Sequence, residues 1–250
     1  MTSRVRVLGA AAPALTALIG IDCATQPSKV GLALGELDGA VVRIRACRTA
    51  SPRELPAAIV GDWLEQCDSA VLALDAPLGW PVALGTALAG HQAGCGMGAD
   101  AHPLFRRRTD DDIHQRFGKR PLEVGANFIS RTAVAALELL EQLRRRTAQP
   151  IPLAWSPEDL NPYAAIEVYP AATRLAHGSS GKGGSIEGVE PLLDLSALGG
   201  VLPASADARD ALVCVLAAAD FLQGHARPPV DLATARQEGW IWTAERPEQT

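Results

Sequence analysis

Along this chain the spacing of apolar and polar residues changes several times, and each change predicts an element. Residues 18–24 and 29–37 are apolar stretches separated by a short polar turn at 25–28, and residues 41–48 alternate apolar and polar positions. Both patterns suit β-strands, and Asp38-Gly39 between the second and third stretches is a tight hairpin signal. Ser51-Pro52-Arg53-Glu54 then predicts a helix start, with Ser51 as N-cap, Pro52 at the first helical position and Glu54 completing a capping box. That helix runs to about residue 66 and is followed by Ala70-Val71-Leu72-Ala73-Leu74-Asp75, a continuous apolar run that fits a buried parallel strand.

Beyond Pro81 the pattern is weaker. Residues 90–104, rich in Gly and His, read as a loop, residues 110–117 as a short helix, and residues 128–146 as a long amphipathic helix. A connector with four prolines covers 147–162, a fifth strand covers 164–169 and ends at Pro170, and 178–184 is a glycine-rich loop. Ser205 is expected to cap a helix over residues 206–222, apolar nearly all round and therefore buried. Residues 239–243, Gly-Trp-Ile-Trp-Thr, suit an edge strand. With no repeat and no linker, the expectation is one domain over residues 1–250 with its core at about 18–243.

Composition narrows the partners. The chain has 250 residues, 48% of them hydrophobic and 20% charged, enough to bury a core without disulfides or a structural metal. A net charge of −5 argues against non-specific coating of nucleic acid or anionic membranes, while leaving room for a local basic groove. The five cysteines are scattered with no CxxC pair or zinc-like spacing, which points to a reducing, cytoplasmic setting. Arg4, Arg6 and the alanine-rich run after them resemble parts of a secretory signal, but the run leads unbroken into the first strand, and an uncleaved start is expected. No membrane span is expected, because no other stretch carries about 18 uninterrupted apolar residues.

The chemistry lies in carboxylates placed where carboxylates are costly. Asp22, Asp75 and Glu167 stand at or near strand ends, Asp210 sits inside the buried last helix, and Asp207 lies three residues earlier on the same face. A charge in an apolar strand or helix needs a partner, a hydrogen bond or a metal ion. Converging carboxylates can hold divalent cations, and two Mg²⁺ ions can clamp both oxygens of an in-line phosphoryl displacement. Simpler roles stand beside this one: a turn for Asp75, a favourable helix-dipole position for Asp207, and for Glu167 an ion pair with an arginine such as Arg174. The basic run Arg106-Arg107-Arg108 can steer phosphate toward the acids or be a solvated loop. Residues 178–183 lack the spacing of a phosphate-binding P-loop, and Gly94, Gly96 and Gly98 do not sit between a strand and a helix.

Taken in order, Ile-Gly-Ile-Asp-Cys-Ala (19–24), Leu-Asp-Ala-Pro-Leu-Gly-Trp-Pro (74–81), Arg-Arg-Thr-Asp (107–110), Glu-Val-Tyr-Pro-Ala-Ala (167–172), Asp-Ala-Arg-Asp-Ala-Leu-Val-Cys (207–214) and Gly-Trp-Ile-Trp (239–242) resemble the domain of unknown function 429 family, described as predicted nucleases with a ribonuclease H-like fold. The resemblance spans residues 19–243. It implies an α/β fold, a mixed sheet with three antiparallel first strands flanked by helices. It also implies a metal corner of Asp22, Asp75 and Asp210, with Glu167 and Asp207 as further candidate ligands for Mg²⁺ or Mn²⁺. The function it implies is divalent-metal-dependent hydrolysis of phosphodiesters in a nucleic acid or phosphate ester, with Arg107, Thr109 and Asp110 positioning the phosphate. The alternatives are a nucleotide-binding ATPase or kinase-like protein of the same fold, and a non-catalytic binding protein.

Overall fold

The computed structural model describes residues 16–125 and 127–245, so the alanine-rich stretch weighed as a secretory signal lies outside the described residues. In chain order the elements are β1 (Thr16–Asp22), β2 (Gly31–Asp38), β3 (Val41–Thr49), α1 (Pro56–Leu64), β4 (Ser69–Asp75), α2 (Val82–Leu88), α3 (Ala101–Phe105), α4 (Arg108–Phe117), α5 (Asn127–Thr147), β5 (Tyr163–Glu167), α6 (Pro170–Ala176), β6 (Leu193–Asp194), α7 (Ala206–Leu222) and α8 (Leu232–Glu238). Four short 3₁₀ turns punctuate them. The six strands form one sheet in the order β5-β4-β1-β2-β3-β6. β1, β2 and β3 are an antiparallel meander, while β4 pairs parallel to β1 and β5 parallel to β4. This is the mixed sheet that the ribonuclease H-like resemblance implies.

Period-two alternation assigns the two faces. Leu18, Val71, Ala73, Ala164 and Ile166 turn toward α7, and Ile19, Ile21, Leu72, Leu74 and Ala165 turn toward α1 and α5. A strand buried on both sides has no polar positions to spare, which is why β4 reads as an unbroken apolar run. On the α7 face two glycines replace side chains. A Cβ at Gly20 would lie 2.1 Å from the carbonyl oxygen of Ala211, and one at Gly31 would lie 1.9 Å from that of Asp207. The first two turns of α7 therefore rest on the backbone of β1 and β2.

Several boundaries differ from the sequence expectation for local reasons. The first helix starts at Pro56 rather than Pro52. Starting it at Pro52 would put Pro56 inside the helix, where its missing N–H and its ring break the hydrogen-bond ladder. Ser51 and Glu54 instead close a turn, exchanging backbone hydrogen bonds of 3.1 Å, and the Glu54 carboxylate pairs with Arg48. β5 ends at Glu167, and Pro170 opens α6 instead of merely ending a strand. Ser205 makes no side-chain cap to α7. Residues 239–243 form no regular strand: Ile241 bridges Glu167, and the N–H of Trp242 donates to the Glu167 carbonyl at 2.9 Å. The short helices α2, α3 and α8 carry no clear periodic signal. No helix among the described residues is long and apolar enough to cross a membrane.

Candidate active site

Asp22 and Asp75 are the last residues of β1 and β4 and stand directly opposite each other in the parallel register. Following the alternation of their strands, both belong to the face covered by α7. Both are partly buried, and neither carboxylate receives a hydrogen bond from any described residue. The consequence is electrostatic. Burial, followed by the repulsion of Asp75, Asp210 and Asp207, pushes Asp22 up to about 9, against the opposing pull of Arg174. Burial, followed by Asp210 and Glu167, pushes Asp75 up to about 8, and Arg174 again opposes the shift. Without a cation the pair is therefore expected to retain protons at neutral pH.

Asp210 enters from the second turn of α7 and is held differently. Its Oδ1 accepts from Nη2 of Arg174 in a close ion pair and from the backbone N–H of Gly184 at 2.8 Å. Arg174 projects from α6, is 1% exposed, and donates through Nε to the carbonyl of Ser185. Asp207, in the first turn of α7, is partly buried and among the described residues meets the hydroxyl of Ser205, at 3.4 Å. Among the described residues no group of three His, Cys, Asp or Glu side chains stands close enough to hold a metal ion as placed.

The remaining predicted residues gather in a second cluster beside the first. Arg107 is 1% exposed and spends its guanidinium internally. Nη2 donates to Glu167 Oε1 at 2.8 Å and Asp110 Oδ1 at 2.9 Å, Nη1 to Glu167 Oε2 at 2.9 Å and the Glu238 carbonyl at 3.0 Å, and Nε to Asp110 Oδ2 at 3.2 Å. Glu167 also accepts from the N–H of Leu78 at 3.0 Å. Burial raises the Glu167 pKa, and Arg107 opposes that rise. The Thr109 hydroxyl accepts from the N–H of Ile241 at 2.7 Å. Arg107, Thr109 and Asp110 thus tie α4 to β5 and to the chain after α8, and both oxygens of Glu167 are occupied. Glu167 finds an arginine partner, but it is Arg107, while Arg174 serves Asp210. Of the basic run, Arg106 pairs with Glu123 at 3.0 Å, Arg107 is buried, and Arg108 is exposed.

A cavity of about 230 Å³ opens beside Asp75, with Pro77, Leu122, Ile129 and Tyr169 among its walls and Arg107 and Glu167 also reaching it. Burial and the neighbouring Asp75 push the Tyr169 phenol up to about 12, so it stays protonated.

A family model described as a protein of unknown function, DUF429, matches residues 20–234, from the middle of β1 into α8. The chain belongs to the DUF429 family. No curated protein matches it. Among solved structures, this DUF429 chain is similar to T. thermophilus RuvC in complex with Holliday junction substrate, with 15% identity, a TM-score of 0.41, and 86% of this chain and 99% of that chain covered.

The sequence suggested Arg174 as an acid's partner but pointed to Glu167 and not to Asp210, and it carried no signal for the Gly20 and Gly31 contacts. Arg174 is a lone cation in the alanine-rich segment Pro-Ala-Ala-Thr-Arg-Leu-Ala, and that burial context is the only trace of the pair it makes.

Proposed function

We propose that the chain is a divalent-metal-dependent hydrolase acting on phosphodiester bonds, with the paired carboxylates of Asp22 and Asp75 as the centre of its site. The observation that carries this is the in-register pair itself. Two partly buried carboxylates side by side, with no donor among the described residues, are missing a cation or a proton. The donor set also fits the ion: carboxylate oxygens are hard ligands, suited to Mg²⁺ or Mn²⁺ rather than to softer metals.

Asp22 and Asp75 would hold the ion, with Asp210 behind them offering Oδ2, which has no hydrogen-bond donor among the described residues. A divalent cation in that position supplies Lewis acidity toward a phosphoryl oxygen. Arg174 fixes Asp210 and keeps a permanent positive charge beside the site. The N-terminal end of α7 adds the positive end of its dipole, which favours both the acids and an incoming phosphate. Arg107 and Glu167 line the cavity beside Asp75, and Thr109 and Asp110 hold the segment that carries Arg107.

The test is a pair of measurements on the full chain. Millimolar Mn²⁺ is expected to raise the melting temperature relative to EDTA, and a single-stranded oligonucleotide is expected to be cut in Mn²⁺ but not in EDTA. Asp75→Asn should remove both effects. Absence of any Mn²⁺-induced shift would sink the proposal, and a shift with ATP alone would favour a nucleotide-binding role.

A further inference from the structure

The cavity beside Asp75 has walls that neither the acids nor a phosphate would need. We propose that it takes one nucleobase, so that the substrate is a nucleotide unit with its phosphate at Asp22 and Asp75 and its base in the cavity. This deepens the proposed function and rests on it only for the place of the phosphate. The base site rests on the cavity itself.

At about 230 Å³ the cavity is smaller than the roughly 300 Å³ at which pockets begin to take whole drug-sized ligands. It suits one ring system, with the rest of the molecule outside. Pro77 from the turn after β4, Pro121 and Leu122 from the segment before α5, Ile129 from α5 and Tyr169 at the start of α6 supply apolar or flat surface. Arg107 and Glu167 also line it, but their polar atoms are spent on each other, on Asp110 and on the backbone of Leu78 and Glu238. They give the cavity a fixed shape and no free charge. Few polar groups are left open. The Tyr169 hydroxyl makes no hydrogen bond among the described residues and can both donate and accept. The Thr132 hydroxyl donates to the Phe128 carbonyl at 3.0 Å and keeps its lone pairs for an incoming N–H. Apolar and aromatic walls with a few polar groups at the edge are how an unstacked base is held. The mouth agrees: Leu122 lines the cavity yet is 68% exposed, apolar surface that a bound ring would cover.

The test uses uncharged probes in EDTA, so that neither a metal ion nor repulsion of a phosphate by the acids enters. Saturation-transfer NMR on the full chain is expected to show at least one of the four common nucleosides bound, and ribose not bound. Ile129→Trp, which fills the cavity, and Leu122→Asp, at an exposed position that leaves folding intact, should each weaken that binding about tenfold or more, the worth of stacking one base. Tyr169→Phe, which removes one hydrogen bond, should weaken it about fivefold. A trinucleotide that binds more tightly than its mononucleotide supports the proposal with a strand as the source of the base, and equal binding supports it with a free nucleotide. No bound nucleoside, ribose bound equally well, or binding unchanged in both Ile129→Trp and Leu122→Asp overturns the proposal. A Mn²⁺-induced melting shift without nucleoside binding overturns this inference alone, and nucleoside binding without that shift overturns the metal reading alone.

Discussion

Two groups of buried charge sit side by side at one end of the sheet, around Arg107 and around Asp22 and Asp75. In the first, a guanidinium lies among Asp110, Glu167 and the Glu238 carbonyl, and each of its three nitrogens has an acceptor within 3.2 Å. In the second, two carboxylates share a register position without a single donor among the described residues. Both groups pay for desolvation, but only the first recovers it inside the protein. On the proposed function the difference separates scaffold from site: the closed cluster fixes α4, β5 and the chain after α8, and the open one would take up a cation from outside the chain. It also explains why carboxylates that look alike in sequence, Asp75 and Glu167, take different parts.

The largest expected effect comes from breaking the closed cluster. Arg107→Met strands two buried carboxylates and should cost about 4 kcal/mol in urea unfolding. A loss below about 1 kcal/mol would mean that the cluster is not the scaffold described here. The next effect is at the junction of the two groups. Asp210→Asn weakens the Arg174 pair, and Asp210 is itself 19% exposed, so about 2 kcal/mol should be lost in EDTA. If metal-free stability held or rose instead, Asp210 would belong with the open pair.

The effect of pH is the most specific. The folded pKa values of Asp22 and Asp75, about 9 and about 8, lie above the unfolded value of about 3.9. The folded chain then binds more protons than the unfolded chain. Their contribution to stability is complete below the unfolded value and is lost as pH rises through about 8 to 9. In EDTA, stability should therefore decline between roughly pH 5 and pH 8, by up to about 1.4 kcal/mol per pH unit for each of the two groups, and Asp75→Asn should roughly halve the slope. Melting curves across that range decide it, and a flat or rising wild-type profile would contradict the open-pair description.

How much of this was legible beforehand depended on the range of the signal. The meander, β4 and α7 were readable because alternation, the Asp38-Gly39 turn and unbroken apolar runs are local consequences of burial. Asp22 and Asp75 were readable because a carboxylate ending such a run needs a reason. The partners of Glu167 and Asp210 were not, since Arg107 is 60 residues from Glu167 and Arg174 is 36 from Asp210, and a single sequence carries no record of which cation reaches which acid. The helix start at Pro56 was missed because Ser51-Pro52-Arg53-Glu54 satisfies a helix cap and a tight turn equally well. Helix α8 was missed because seven residues are too few to show a period, although Asp231 accepting from the N–H of Thr234 is an ordinary cap.

The seating of α7 on Gly20 and Gly31 has a mechanical consequence. Where side chains set the gap between a helix and a sheet, every core substitution changes that gap, because rotamers and volumes shift with it. Here the gap beneath the first two turns of α7 is set by peptide groups in contact, which have no rotamers to change. The heights of Asp207 and Asp210 above β1 and β2 are thereby decoupled from packing on the far side of the sheet. Leu140 and Leu143 of α5 can be varied for thermal tolerance while the acidic corner keeps its dimensions, and durability and site geometry become separately adjustable in one small chain.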